Sequence, residues 1–403
     1  MSGHPRVGLF GILGSGNLGN DGSLDAVVRF LRARHPGARL DFMCMGPERV
    51  RAHYGTPATW LQWYEAHAGN TTGVASVFFK ILGKLLDPFR TFAWVRQQDV
   101  VIVPGMGVLE DTVPLRPWAF PYSLFWLAVC ARLTGTKVAL VSVGASVVRG
   151  RILRTLVTGA ARLARYRSFR DAMARDAMRQ MGVDVSADEV YPDLAFALPV
   201  PEPGPPTGVV GVGVMAYYGN NSDRHRADEL HERYVTALKD FVRRLVDSGR
   251  SVRLFVGDKM DLPVLEEILA SVDGDVVAEP LTTLQDLMDQ MSTVDTVVAT
   301  RYHNVLCGLA VGKPTLAIGY AAKIDVLMAD MGLGEFCQPA SSVDVDRLIA
   351  QLDQLEHRRA ELTATLARRN AEVRENLERQ FDAVSAVIDG NPARTLAARG
   401  EAR

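Results

Sequence analysis

Residues 295–323, DTVVATRYHNVLCGLAVGKPTLAIGYAAK, constrain the fold more than any other stretch of the chain. Residues 296–299 are apolar and β-branched with no polar alternation, the pattern of a strand buried on both faces of a parallel sheet. Val305, Leu306, Leu309 and Ala310 then recur at helical spacing, Gly312 stops the helix, and Pro314 opens a second apolar run over 315–318. The unit is strand–turn–helix–strand. Ligands of open parallel sheets bind beyond the carboxyl ends of the strands. Arg301 and His303 occupy such an end, beside the positive end of a helix dipole, and Lys323 follows the end of the next strand. A guanidinium, an imidazole, an ammonium and helix N–H groups on one edge describe an anion site. An Arg after a strand often does no more than bind a surface carboxylate, and a lone His is more often structural than catalytic. Two polar side chains directly after a buried strand are costly without a partner, which tips the reading toward function.

The same alternation runs through the rest of the chain. Residues 7–12 read as a strand, Gly14-Ser15-Gly16-Asn17-Leu18-Gly19 as a loop, Asn20-Asp21 as a cap, and 24–34 as a helix burying Leu24, Val27, Val28 and Leu31. A second strand covers 39–45. The loop spells G-x-G-x-x-G, the dinucleotide fingerprint. That motif also needs an acid at the carboxyl end of the second strand to hold the ribose. Asp41 begins its strand and the far end is Gly46-Pro47, so the acid is missing unless Glu48 substitutes, and a dehydrogenase ranks last. The loop is read only as a glycine-rich turn open to close approach by a ligand.

Residues 50–98 read as irregular and aromatic, with Trp60, Trp63, Tyr64, Phe78, Phe79 and Trp94; core packing is the usual use of such rings and sugar stacking the other. Strand ends then recur. Residues 100–103 end in Pro104-Gly105-Met106-Gly107, 138–143 in Gly144-Ala145-Ser146, 166–169 in Arg170 before a helix over 171–181, and 190–191 in Pro192-Asp193-Leu194. Arg170 and Asp193 therefore fall on the ligand edge, with a cap or turn role for Asp193 weighing equally. Residues 199–208, PVPEPGPPTG, hold five prolines and two glycines and read as a linker. A second α/β unit follows: a strand over 209–214, a Tyr-rich turn, a helix over 230–247, a strand over 252–256 ending in Gly257-Asp258-Lys259, and the opening motif. Residues 344–388 read as helix with a break near His357-Arg358 and a solvated charged face, and a frayed tail follows Gly390.

The expected fold class is α/β, with two Rossmann-like doubly wound domains facing across a cleft in a GT-B-like architecture, the last step resting on fold analogy. The expected domains are 1–198, a linker over 199–208, a C-terminal Rossmann-like domain over 209–342, a helical segment over 343–388 and a tail over 389–403. The chain has 403 residues, which favours two domains, and its net charge of −1 argues against a nucleic-acid binder. Cys44, Cys130, Cys307 and Cys337 form no C-x-x-C pair and read as reduced thiols of a cytoplasmic protein. The N-terminus has no apolar secretory region. Residues 74–86 and 119–131 are the most apolar stretches, and both are shorter than the ~18 residues a spanning helix needs. Residues 74–86 carry Lys80 and Lys84 among Phe78, Phe79, Ile81, Leu82, Leu85 and Leu86; a buried or lid helix is the preferred reading and a membrane-surface helix the second.

Asn17-x-Gly19-x-Asp21, Pro104-Gly105-x-Gly107, Ser142-Val143-Gly144, Arg170, Pro192-Asp193-Leu194-Ala195-Phe196, and Arg301-Tyr302-His303 through Gly312-Lys313-Pro314 to Tyr320 and Lys323 together resemble the polysaccharide pyruvyl transferases over about residues 7–340. The chain departs from the family pattern at Gly19-Asn20-Asp21, where Gly-Asp usually follows the asparagine turn directly, and at Pro104-Gly105, where two glycines are common. The resemblance implies transfer of a pyruvyl group from phosphoenolpyruvate to a sugar, commonly as a cyclic ketal across two hydroxyls. It places Arg301 and His303 in the donor site, with Arg301 as an anion ligand and His303 as general acid/base. Arg170 and Lys323 are expected as further phosphate or carboxylate clamps, and Asn17, Gly105, Gly107 and Asp193 as substrate-binding positions. No redox cofactor or metal is required; Asp273-Gly274-Asp275 and Asp344-Val345-Asp346 read as surface turns. Expected partners are phosphoenolpyruvate and a sugar or lipid-linked saccharide, which would bring the protein to the inner membrane surface. Two rivals stand beside this reading. A GT-B glycosyltransferase using a nucleotide sugar is lowered by the lack of two glutamates eight positions apart. A non-catalytic sugar- or partner-binding relative is lowered by Arg301, His303 and Lys323, since buried cations without anions cost stability.

Overall fold

The computed structural model describes residues 4–110, 117–202, 204–219 and 221–390, so the expected tail beyond Gly390 lies outside the described residues. The chain forms two compact units. One comprises Met1–Ser15, Ser23–Leu194 and Glu375–Arg403; the other comprises Gly16–Gly22 and Ala195–Arg374.

Seven strands form the sheet of the first unit: β1 (Arg6–Gly11), β2 (Arg39–Cys44), β3 (Ala58–Trp60), β4 (Val100–Pro104), β5 (Lys137–Val143), β6 (Tyr166–Phe169) and β7 (Glu189–Val190). Their order is β3-β2-β1-β4-β5-β6-β7, and every pairing is parallel. The second unit has β8 (Val210–Gly213), β9 (Val252–Phe255), β10 (Val276–Ala278), β11 (Thr296–Ala299), β12 (Thr315–Gly319) and β13 (Cys337–Pro339). These run β10-β9-β8-β11-β12-β13, again all parallel. Each sheet is thus doubly wound, and strand order reverses between β1 and β4 in one and between β8 and β11 in the other. Those reversals are the ligand-binding crevices of such sheets. The inner strands β4, β8 and β11 are buried at every residue, which is why the sequence shows continuous apolar runs there. Two Rossmann-like α/β units are therefore observed, as expected.

The helices of the first unit are α1 (Leu18–Arg34), α2 (Pro47–Tyr54), α3 (Trp63–His67), α4 (Gly73–Val95), α5 (Phe120–Thr134), α6 (Arg151–Leu163) and α7 (Ala172–Gln180), the first turn of α1 counting with the second unit. Those that follow are α8 (Ala227–Asp247), α9 (Leu262–Leu269), α10 (Leu284–Ser292), α11 (Tyr302–Ala310), α12 (Ala322–Asp330), α13 (Val345–His357) and α14 (Arg359–Asp389).

Several expectations are corrected. Helix α1 begins at Leu18 rather than Leu24, because the side-chain oxygen of Asn17 accepts from the amide of Asn20 at 3.1 Å and its carbonyl accepts from Asp21 at 3.1 Å. The cap is Asn17, not Asn20-Asp21, and Gly19 lies inside the first helical turn. Residues 50–98 are mostly helical rather than irregular. Helix α4 passes through Pro88, which has no N–H to offer the carbonyl of Lys84; the Tyr122 hydroxyl on α5 donates to that carbonyl instead, at 2.7 Å. The break between α13 and α14 falls at Arg358. The C-terminal helix is not a separate segment: from Glu375 it counts with the first unit, where Phe381 stacks on Phe30 at 4.5 Å and Gln380 donates to Ser142 Oγ at 2.7 Å and Ser168 Oγ at 2.9 Å.

Candidate functional site

In the second unit, β11 ends at Ala299 and Arg301 is the N-cap residue of α11, at the reversal of strand order. Its guanidinium is already engaged. Nε donates to Asp261 Oδ2 at 2.8 Å and Nη2 to Asp261 Oδ1 at 2.6 Å. Asp261 is fully buried in the short turn after β9, and it also accepts from the amide of Ala216 at 2.9 Å. A buried carboxylate thus takes two of the donors of the arginine expected as an anion ligand. What remains is an oriented guanidinium whose side chain is 25% exposed. Burial alone opposes its charge, but the hydrogen bonds and charge of Asp261 outweigh that and hold its pKa above the ordinary arginine value.

His303 sits in the first turn of α11, and its ring lies directly on Gly19. A Cβ on Gly19 would come within 2.0 Å of His303 Cε1 and Nδ1, so glycine is required there by close approach. Two residues before Gly19, Asn17 donates from Nδ2 to Asp258 Oδ2 at 3.0 Å, and Asp258 caps the turn that carries Asp261. Lys323, in the first turn of α12, places Nζ 5.6 Å from the ring centre of Tyr302 and 5.8 Å from that of Tyr320. Asn17, Arg301, His303 and Lys323 thus belong to one unit.

The sequence reading missed two residues here. Asn304 is fully buried, and both polar atoms of its amide lack a hydrogen-bond partner among the described residues. Gly213, the last residue of β8, and Gly257, just beyond β9, make room for it: a Cβ on either would meet the amide at 2.8 and 2.7 Å. Leaving such a group unpaired costs about 1–3 kcal/mol. Its signal was a polar residue on the buried face of the otherwise apolar helix YHNVLCGLA. Asp261 was signalled by a second acid just past Asp258 at the end of the strand.

The remaining expected residues belong to the first unit. Arg170, at the end of β6, is buried and faces three carboxylates: Glu110 at 3.1 Å, Asp193 at 3.4 Å and Asp171 at 3.9 Å. An anion clamp is expected at Arg170, and its charge is already more than matched by protein acids, with Asp193 as one of its ion-pair partners. Gly107 and Gly144 let this cluster approach the backbone, because a Cβ would meet the Glu110 carboxylate at 2.7 Å and 2.3 Å. Gly105 is packed against Ser23, whose hydroxyl donates to the Gly105 carbonyl at 3.0 Å. Ser142 adopts φ 50 where the β5–β6 register shifts between Leu140 and Val143, and its hydroxyl donates to the carbonyl of Pro192 at 3.0 Å.

A family model described as polysaccharide pyruvyl transferase matches residues 17–321. The chain belongs to that family. It is accordingly a transferase of polysaccharide biosynthesis. The match opens at Asn17 and takes in Gly105, Gly107, Arg170, Asp193, Arg301 and His303, whereas Lys323 lies just beyond it. No curated protein sequence matches the chain significantly. Among solved structures, a putative UDP-N-acetylglucosamine 2-epimerase from Listeria monocytogenes aligns with TM-score 0.60 and 13% identity, covering 94% of this chain and 96% of that one. The glycosyltransferase SnogD from Streptomyces nogalater aligns with TM-score 0.56 and 14% identity, covering 95% and 99%. The UDP-GlcNAc 2-epimerase from Neisseria meningitidis, bound to UDP-GlcNAc, aligns with TM-score 0.56 and 10% identity, covering 93% and 99%. At these identities the likeness shows the fold alone, the GT-B-like pair of Rossmann-like units. No helix among the described residues is long and apolar enough to cross a membrane.

Proposed function

We propose that this pyruvyl transferase family member moves the pyruvyl group of phosphoenolpyruvate onto two hydroxyls of a sugar in a polysaccharide or glycolipid precursor, forming a ketal and releasing phosphate. What carries the reading is the meeting of the two ends of the family motif, where His303 of the strand-end Arg-x-His lies against Gly19 of the asparagine loop. The donor brings a carboxylate and a phosphate, and the second unit offers Arg301, Lys323 and the first turns of α11 and α12 as positive ends. Asp261 holds the Arg301 guanidinium in a fixed orientation, so little reorganisation is needed when an anion arrives.

The reaction requires a proton on the methylene carbon of the donor, a bond from one sugar hydroxyl to the enol carbon, and departure of phosphate as the second hydroxyl adds. One hydroxyl proton ends on the new methyl group and the other on phosphate. His303 is the group assigned to carry protons between these sites. Acceptor recognition is assigned to the first unit, whose excess of carboxylates around Arg170 suits hydroxyl donors better than an anion. No metal or redox cofactor enters this scheme. The reaction is placed in the cytoplasm, at the inner membrane surface where the acceptor is lipid-linked.

The test is thermal stabilisation by phosphoenolpyruvate and by UDP-sugars. A ligand at about a hundred times its Kd stabilises the fold by about 2.7 kcal/mol. Arg301→Ala alone would leave Asp261 buried and unpaired, so it is accompanied by the double variant Arg301→Gln/Asp261→Asn. Stabilisation by phosphoenolpyruvate in the native protein, lost in both variants, is expected. A response to UDP-sugars with none to phosphoenolpyruvate would overturn the reading in favour of a nucleotide-sugar glycosyltransferase.

A further inference from the structure

Helix α4 is built the wrong way round for a helix that serves only the core. Val74, Val77, Phe78, Ile81, Leu85 and Phe89 are all more than half exposed, Val74 at 87% and Phe89 at 75%. Their spacing puts them on a single stripe, and the residues that α4 buries, among them Ser76, Gly83, Asp87, Thr91 and Trp94, lie on other faces. The expectation of a buried helix is thus corrected: the most apolar face points outward. Isolated exposed apolar residues need no explanation, but a continuous stripe of this length marks an interaction surface.

The charges on the helix decide which partner fits. Its one acid, Asp87, is buried and paired with Lys84 at 3.6 Å and Arg90 at 3.2 Å. The exposed charges on and just after α4 are Lys80 and Arg96, both basic. Against α4, the start of α5 and the residues before it bring a row of rings: Trp118, which is exposed, lies 6.0 Å from Tyr122, and Tyr122 lies 6.2 Å from Trp126. Lys84 sits over Tyr122, with Nζ 5.4 Å from the ring centre. An apolar stripe, exposed charges on the helix and at its end that are basic, and adjacent Trp and Tyr are the composition of a helix lying in the plane of an anionic lipid surface.

We propose that α4 lies on a membrane surface of anionic lipid, with its apolar stripe among the acyl chains and Lys80 and Arg96 at the headgroups. This surface is independent of the reaction, and it needs no spanning segment.

The experiment is flotation of the full chain with phosphatidylcholine vesicles, with and without phosphatidylglycerol, alongside light scattering of the chain alone. The native protein is expected to float with the vesicles that contain phosphatidylglycerol, and the triple variant Phe78→Glu/Ile81→Glu/Leu85→Glu to remain in solution with an unchanged circular dichroism spectrum. Lys80→Glu is expected to weaken partitioning by about fivefold or more. Failure of the native protein to float with either lipid overturns the proposal. So does a homodimer that the triple variant converts to monomer without any flotation, since the stripe then binds a second copy. No donor is present in this assay, so a chain that floats but ignores phosphoenolpyruvate keeps this inference and loses the transferase reading, and the converse holds equally.

Discussion

Two arginines stand directly after buried strands in this chain, and they are held in different ways. Arg170 in the first unit is buried among three carboxylates. Arg301 in the second unit is gripped by a single carboxylate through two parallel hydrogen bonds and keeps a quarter of its side chain exposed. Around Arg170 negative charge is in excess. Beside Arg301 the acids Asp258 and Asp261 are both occupied by hydrogen bonds of their own. The lesson is that a cation at a strand end is not by itself an anion site. What matters is how many protein carboxylates have already claimed it and whether any donor still points outward.

The sharpest way to break the comparison is at His303, which has no counterpart beside Arg170. His303→Ala is expected to lower turnover by about 10²–10⁴-fold while leaving stabilisation by phosphoenolpyruvate intact. Equal turnover in the variant would remove the second unit's claim to the chemistry. Next in size is Arg170→Ala, which leaves Asp193 buried without that cation. It should cost about 3–5 kcal/mol in denaturant unfolding, with Arg170→Lys recovering part of the loss. If Arg170→Ala unfolds like the native protein yet no longer responds to phosphoenolpyruvate, the roles of the two arginines are reversed. A smaller effect is expected from Gly19→Ala. The added carbon would overlap the His303 ring at 2.0 Å, so the ring must move. A displacement of that order can lower turnover by up to about 10²-fold, and donor binding should persist. Unchanged turnover would show that His303 acts from a different position.

The strand ends were legible and the pairings were not, for a physical reason. Buried parallel strands write themselves as apolar runs, so residues 296–299 and the positions of Arg301, His303, Arg170 and Asp193 could be read directly. The partner of Arg301 is 40 residues away, and Glu110 is 60 residues from Arg170. Nothing in a local pattern specifies such long-range contacts, so both arginines looked available. The first loop erred in a similar way. Its glycines invited a loop through Gly19, and only the hydrogen bond from Asn20 to Asn17 reveals that the helix starts at Leu18. Apolar composition announced α4 as a helix, but whether its stripe faced protein or solvent depended on neighbours that the sequence does not place.

The last prediction concerns an acid that the glycine fingerprint could have enlisted. Asp41 pairs in register with Gly8 within β2, several residues short of the carboxyl edge, and so has no ribose to hold. Burial raises its pKa, and the polar groups of Trp94, Phe42 and Gln98 around it offset this only in part. The native state therefore holds its proton more tightly than the unfolded chain does. The stability contributed by that proton is fully present below the unfolded pKa and is lost as pH rises through the folded value. Above the folded value the ionised carboxylate is partly desolvated, at a net cost. Asp41→Asn is expected to raise Tm at neutral pH, with the gain shrinking toward zero as the medium becomes acidic. Melting curves of both proteins from acid to neutral pH check this. A variant that is less stable than the native protein at neutral pH would mean that the charged form of Asp41 is stabilised by its surroundings and that burial is not the larger effect.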